Sequence, residues 1–162
     1  MGRTVNAARV VLALLALVDA RPVLAQARVD VVTLEGKTVS VALDGFTRHV
    51  VTTSDHTKKA TFEGVLLRDA LVKAGTPMGE ALHGAAALTR YVKVSARDGY
   101  AVVFSIAELD SGFTDEIVLL ADIRDNQRLV SEAGPLQVVV PHEKRAGRWI
   151  RQVSKIEVLA AK

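Results

Sequence analysis

Cysteine is absent from all 162 residues. That excludes disulfides, thiolate metal sites, iron–sulfur ligation, c-type haem attachment and a cysteine nucleophile. Aromatic residues make up only 4% of the chain, with a single tryptophan. Any aromatic stacking surface must therefore come from very few positions. No apolar run is long enough to cross a bilayer. The longest near the start, Val10 to Val18, covers nine residues, about half of what a spanning helix needs. Several catalytic signatures are also missing: G-x-S-x-G, the phosphate loop G-x-x-x-x-G-K-[ST], G-x-G-x-x-G and H-E-x-x-H. The four histidines, His49, His56, His83 and His142, do not pair at metal-ligand spacing and read as scattered surface residues. Asp110 and Asp115 flank a loop, where caps or solvated turns explain them better than an acid/base pair.

The remaining composition is that of a folded domain, 49% apolar and 24% charged. The length suits one domain that buries roughly 70% of its unfolded surface. At the start, Arg3 and Arg9 precede the apolar run, and Pro22 to Ala27 supplies small residues. A basic segment, a short apolar segment and small residues in that order predict a secretory signal peptide over residues 1–25, cleaved after Ala25 or after Ala27. Cleavage removes three arginines and one aspartate, leaving 18 basic against 17 acidic residues, so the mature charge is +1 rather than +3. A nearly neutral exported chain is not expected to bind nucleic acid.

The mature segment, 28–162, shows no repeat or linker and reads as one domain of mostly short strands. Strands are expected at 31–34, 38–43, 50–53, 60–63, 91–96, 100–104, 117–121, 136–140 and 154–159. Arg97-Asp98-Gly99 is a hairpin turn, and Arg124 to Gln127 is a further polar turn. One helix is expected over 65–74, where Leu67, Leu71 and Ala74 form an apolar stripe and Gly75 is the stop. Ser105 to Asp110 reads as a helical turn with a serine cap and Glu108 three residues on. Strands dominate and the helices do not alternate with them, so the class is α+β or mainly β.

Residues 141–151, PHEKRAGRWIR, concentrate His142, Lys144, Arg145, Arg148 and Arg151 around Trp149. Two readings stand side by side. A guanidinium fork binds anions and stacks on planar rings, and an indole offers a flat face, so together they can hold a planar polar heterocycle. The same residues also describe a solvated basic turn whose tryptophan caps the core. Asp98 and Tyr100, in the earlier hairpin turn, can line a pocket mouth or belong simply to the turn.

The order of segments resembles the molybdopterin-binding domain of the sulfite-oxidase type. Gly64 to Gly75 is similar to that family's GV-x-L-x-x-LL-x-x-AG helix. Ala96 to Tyr100 resembles its DGY hairpin, and Val118 to Ala121 with Gln127 to Leu129 resembles its LLA segment, without the family's glycine and proline. Gly134 to Pro141 with Arg148 to Ile150 is similar to GPLRLVVP…VKW[LI]. The resemblance spans about Val31 to Val158 and implies a sulfite-oxidase-type fold of packed sheets with few helices. In the family's enzymes a cysteine before the GV helix ligates molybdenum. This chain has none; Ser54 and His56 lie near the corresponding region. The 162 residues are also fewer than those of the enzymes, and no segment resembles their dimerisation domain. Cofactor-loaded exported enzymes usually carry a twin-arginine signal, and Arg3 and Arg9 are not adjacent.

The resemblance therefore implies a metal-free, non-catalytic periplasmic relative that binds a free reduced pterin. Such relatives report the pterin to a membrane-bound diguanylate cyclase or phosphodiesterase. Carried over by position, the ligand contacts are Trp149 and Arg148, with Lys144 and Arg145 in the preceding loop and Asp98 and Tyr100 as further candidates. The alternatives are a molybdopterin-dependent oxidoreductase and an interaction domain without a ligand.

Overall fold

A computed structural model describes residues 27–55, 58–130 and 132–161. The expected signal segment and His56 lie outside the described residues. The chain is mostly β-sheet with few and short helices. Its elements are β1 (Arg28–Val32), β2 (Thr38–Ala42), β3 (His49–Asp55), β4 (Lys58–Leu66), α1 (Leu67–Lys73), α2 (Ala85–Leu88), β5 (Arg90–Ala96), β6 (Ala101–Ser105), β7 (Leu119–Arg124), β8 (Gln127–Arg128), β9 (Gln137–Val139) and β10 (Val153–Ala160). Single 3-10 turns lie at Gly79–Ala81 and Ala146–Arg148.

The strands form two five-stranded sheets. The first runs β2-β1-β10-β5-β6, with β1 and β10 parallel and the other pairs antiparallel. The second runs β3-β4-β7-β8, with β9 also pairing β7. In β5, Val92, Val94 and Ala96 are buried while Tyr91, Lys93 and Ser95 are only half-buried, as period-two alternation demands of a strand with one face on a core. β7 begins with a fully buried run, Leu119 to Asp122, because strands flank it on both sides and its faces are covered. The apolar faces of both sheets and of α1 meet in one cluster that includes Val31, Phe62, Leu71, Val94, Phe104, Leu120, Val138 and Ile156.

The expected helix is shorter than its pattern, because Val65 and Leu66 continue β4 and pair with Leu120 and Leu119. Only from Leu67 does the chain turn helical, burying Leu67, Ala70 and Leu71. Both sets of residues are apolar, so composition alone did not mark the change. Gly75 ends the helix at φ 98°, a conformation that glycine adopts without cost. The segment 105–110 is a turn rather than a helix, although the bonds of a capping box do form. The Ser105 amide donates to Glu108 Oε2 at 2.7 Å, and the Glu108 amide donates to Ser105 Oγ at 3.2 Å. Asp110 is not a solvated residue. It is 1% exposed and accepts from the Gly79 and Gly112 amides. The polar turn between β7 and β8 places Asp125 and Asn126 at φ 49° and 62°, the left-handed pair that a two-residue hairpin requires.

Candidate functional site

The basic loop, residues 141–149, runs out of β9 and returns to the core at Trp149. Its two ends are held by the sheets on either side. On one side Thr53, near the end of β3, donates through Oγ1 to the Pro141 carbonyl at 3.4 Å. On the other, Tyr100 of the β5–β6 hairpin donates its hydroxyl to the Gly147 carbonyl at 2.7 Å. The hairpin and the basic loop, 47 positions apart in sequence, are therefore brought together. Asp98 contributes at one remove. Its Oδ1 accepts from the Tyr100 amide at 2.9 Å, which sets the turn from which the phenol reaches the loop.

The candidate side chains then separate into three directions. Trp149 turns inward and is 6% exposed. Its Nε1 donates to the Val140 carbonyl at 3.0 Å, and its ring meets Phe62 edge to face, with centroids 5.8 Å apart and planes at 87°. An aromatic in that position contributes packing and one buried hydrogen bond. Its faces are covered by the core, and it does not wall the cleft beside the loop.

Arg148 turns toward β6. Its Nε donates to Glu143 Oε1 at 2.6 Å, and its Nη2 pairs with the same carboxylate. Nη1 donates to Glu108 Oε1 at 2.9 Å and to the Val103 carbonyl at 3.2 Å. The guanidinium carbon sits 4.5 Å from the centroid of the Phe104 ring, a cation–π distance. Burial opposes the charge, but the two carboxylates outweigh it and hold the guanidinium above its ordinary pKa. With its fork bound this way, Arg148 closes the edge strand β6 and fastens the loop to it. It does not present a free fork to a ligand. The partners Glu108 and Glu143 were not expected as site residues, and nothing in local sequence pattern pairs residues 40 positions apart.

Lys144 and Arg145 point the third way. They line a cleft of ≈ 750 Å³ together with Thr53, Ser54, Pro141, Glu143, Ala146 and Gly147. Both are exposed, and neither side chain has an ion-pair or hydrogen-bond partner among the described residues. Glu143 is committed to Arg148, so among the described residues the charge left free in the cleft is positive. The hydroxyls of Thr53 and Ser54 supply neutral polar contacts opposite. Their part in the cleft was not legible beforehand, because β3 and the loop are adjacent only in the folded chain.

A second polar cluster lies across β4 and β7. Arg48 bonds Glu63 at 2.9 Å and Asp122 at 2.5 Å, and Arg128 lies 3.6 Å from Asp122. These charges answer one another and read as a structural network around the buried Asp122.

The Glu108 carboxyl carries a pH consequence. Burial raises it, but the Ser105 amide, the Arg148 guanidinium and the Ser105 hydroxyl together hold it below the ordinary glutamate value. Its folded pKa is thus below its unfolded one. The stability it contributes is full above the unfolded value of about 4.3 and is lost as pH falls through the folded value. Urea melts against pH should show wild type losing midpoint below about pH 4 more steeply than Glu108→Gln. Parallel curves would disconnect Glu108 from the acid limb.

No family model matches the chain, and no curated protein is significantly similar to it.

Proposed function

We propose that the protein is a binding protein for a reduced pterin or a similar planar, electron-rich heterocycle, held in the cleft between the end of β3 and the basic loop. The observation that carries the reading is the pair of cations, Lys144 and Arg145, without a partner among the described residues and set in a cleft of ≈ 750 Å³. A lysine ammonium donates to ring carbonyl and nitrogen acceptors, and a guanidinium plane can both stack on a heterocycle and bond its edge. The threonine and serine hydroxyls opposite complement ring amino and imino groups. Tyr100 and Asp98 hold the loop in place through Gly147, and Arg148 fastens its other face. In this reading the stacking surface is Arg145 rather than Trp149.

The molybdenum cofactor of the family's enzymes does not fit these residues. The sequence contains no thiolate donor, and the cleft offers the neutral hydroxyls of Thr53 and Ser54 instead, which are poor replacements for a metal-bound thiolate. The function proposed is therefore binding without catalysis, in the periplasm after export, with the ligand's presence passed to the periplasmic domain of a membrane-bound cyclic-di-GMP enzyme. Recovery of the native chain starting at Gln26 or Arg28 supports export; an intact Met1 end opposes it.

The test is calorimetric titration of the mature protein with a tetrahydropterin. Lys144→Ala and Arg145→Ala should each weaken binding by about tenfold to a hundredfold, the scale of a hydrogen bond to a charged group. Their unfolding free energies from urea melts should stay within about 0.5 kcal/mol of wild type, as for exposed side chains. No saturable binding at millimolar pterin would sink the reading and favour an interaction domain without a ligand. Full affinity in both variants would move the site elsewhere.

A further inference from the structure

We propose that the cavity walled by Phe104, Phe113, Val118 and Val140 is a second binding site, and that it takes a small organic cation, a protonated amine or amidine on a short apolar body. The cavity has a volume of ≈ 290 Å³ and is lined further by Ser105, Ala107, Glu108, Thr114, Glu116, His142 and Arg148. That volume is near the lower end of the ligand-site range and holds a molecule of roughly ten non-hydrogen atoms.

Its shape and its charge carry separate parts of the argument. Phe104, Val118 and Val140 are buried and form an apolar floor. Phe113 stands beside them 58% exposed, a large ring left facing solvent at the margin of an apolar cavity, where an apolar ligand body would cover it. The sign of the ligand follows from Arg148. It is the one permanent cation of the lining, and its fork already serves Glu108, Glu143 and the Val103 carbonyl. An anion entering the cavity would have to break those bonds. Glu116 stands differently. Its Oε2 lies 2.9 Å from His142 Nδ1, and no other described side chain bonds its second oxygen. The lining sets two carboxylates, Glu108 and Glu116, against the one guanidinium of Arg148, so negative charge is in excess. A cation beside Glu116 with its body against Phe113 satisfies both the charge and the exposed ring. The Lys144–Arg145 cleft carries the opposite sign, so the two sites select different ligands and can fail independently.

Phenethylammonium is the probe, and phenylacetate, similar in shape and opposite in charge, is the control. Titration by amide NMR at low ionic strength should show saturable binding of the cation, shifts centred on residues 104–118 and 142, and weakening by added salt. Phenylacetate should bind at least about tenfold more weakly. Glu116→Gln should weaken the cation by about twofold to fivefold, as expected for a partly exposed ion pair. Phe113→Ser should weaken it comparably, while Lys144→Ala leaves it unchanged. The proposal is overturned if phenylacetate binds as well as the cation, if Glu116→Gln and Phe113→Ser both keep full affinity, or if no saturable binding appears at about 10 mM probe.

Discussion

Trp149→Ala is expected to cost about 3–5 kcal/mol of folding stability, the range for truncating a large buried aromatic. The side chain is 6% exposed, meets the Phe62 ring edge to face and donates its indole N–H to the Val140 carbonyl. Truncation removes the packing, opens a cavity beside Phe62 and takes away one of the two donors to the Val140 carbonyl, which keeps the Glu143 amide at 3.1 Å. For a chain of this size the midpoint temperature should fall by about 10 °C or more. Trp149→Phe separates packing from hydrogen bonding. It keeps most of the apolar volume and should cost only about 1–3 kcal/mol. Because the indole is not in the Lys144–Arg145 cleft, Trp149→Phe should bind a tetrahydropterin within about threefold of wild type. A folded Trp149→Phe protein that has lost pterin affinity by tenfold or more would return the indole to the binding surface and contradict the assignment of stacking to Arg145.

Gly64→Ala is expected to be a severely damaging small substitution, at least about 3 kcal/mol and enough to prevent folding of a marginal domain. A Cβ at Gly64 would fall 2.6 Å from the Ala121 Cα and 2.7 Å from the Leu120 carbonyl carbon, and closer still to the Leu120 oxygen. These are backbone atoms of the neighbouring strand β7. No side-chain rotation relieves the clash, so β4 and β7 must separate where both are buried. The register between these strands shifts between Glu63 and Gly64, and the missing side chain permits the close approach there. Gly147→Ala is the control, because a Cβ there meets nothing within 4 Å. Its unfolding free energy from a urea melt should match wild type within about 0.5 kcal/mol. Equal midpoints for both variants would show that the β4–β7 approach is looser than described.

The Gly64 comparison also shows where sequence pattern reached its limit. In the sequence, Gly64 opened an apolar segment that looked wholly helical. In the fold it is a strand residue, and the strand continues through Leu66 before α1 begins. An apolar run buried on all sides carries no period by which to tell strand from helix. Where one face met solvent the pattern was plain. The alternation of 91–96 matched β5, and the turn at Gly99 matched a glycine at φ 89°. Ser105 and Glu108 formed the expected reciprocal bonds, although no helix followed them.

The candidate loop divides in the same way. Composition alone singled out residues 141–151 as a basic segment around the only tryptophan. It could not say which way each side chain turned, since adjacent residues in an irregular loop follow no fixed period. That choice depends on what distant strands place beside them. Phe62 of β4 and the Val140 carbonyl draw Trp149 into the core. Glu108 and the open carbonyl of β6 draw Arg148 to the sheet edge. Lys144 and Arg145, which meet no partner among the described residues, were left facing the cleft. The sequence by itself determined the predominance of strands, the absence of thiolate chemistry and the position of the basic loop, because these follow from composition and local alternation. Tertiary structure alone decided which cations are consumed and which remain free, because an ion pair across 40 positions exists only after the two sheets have packed.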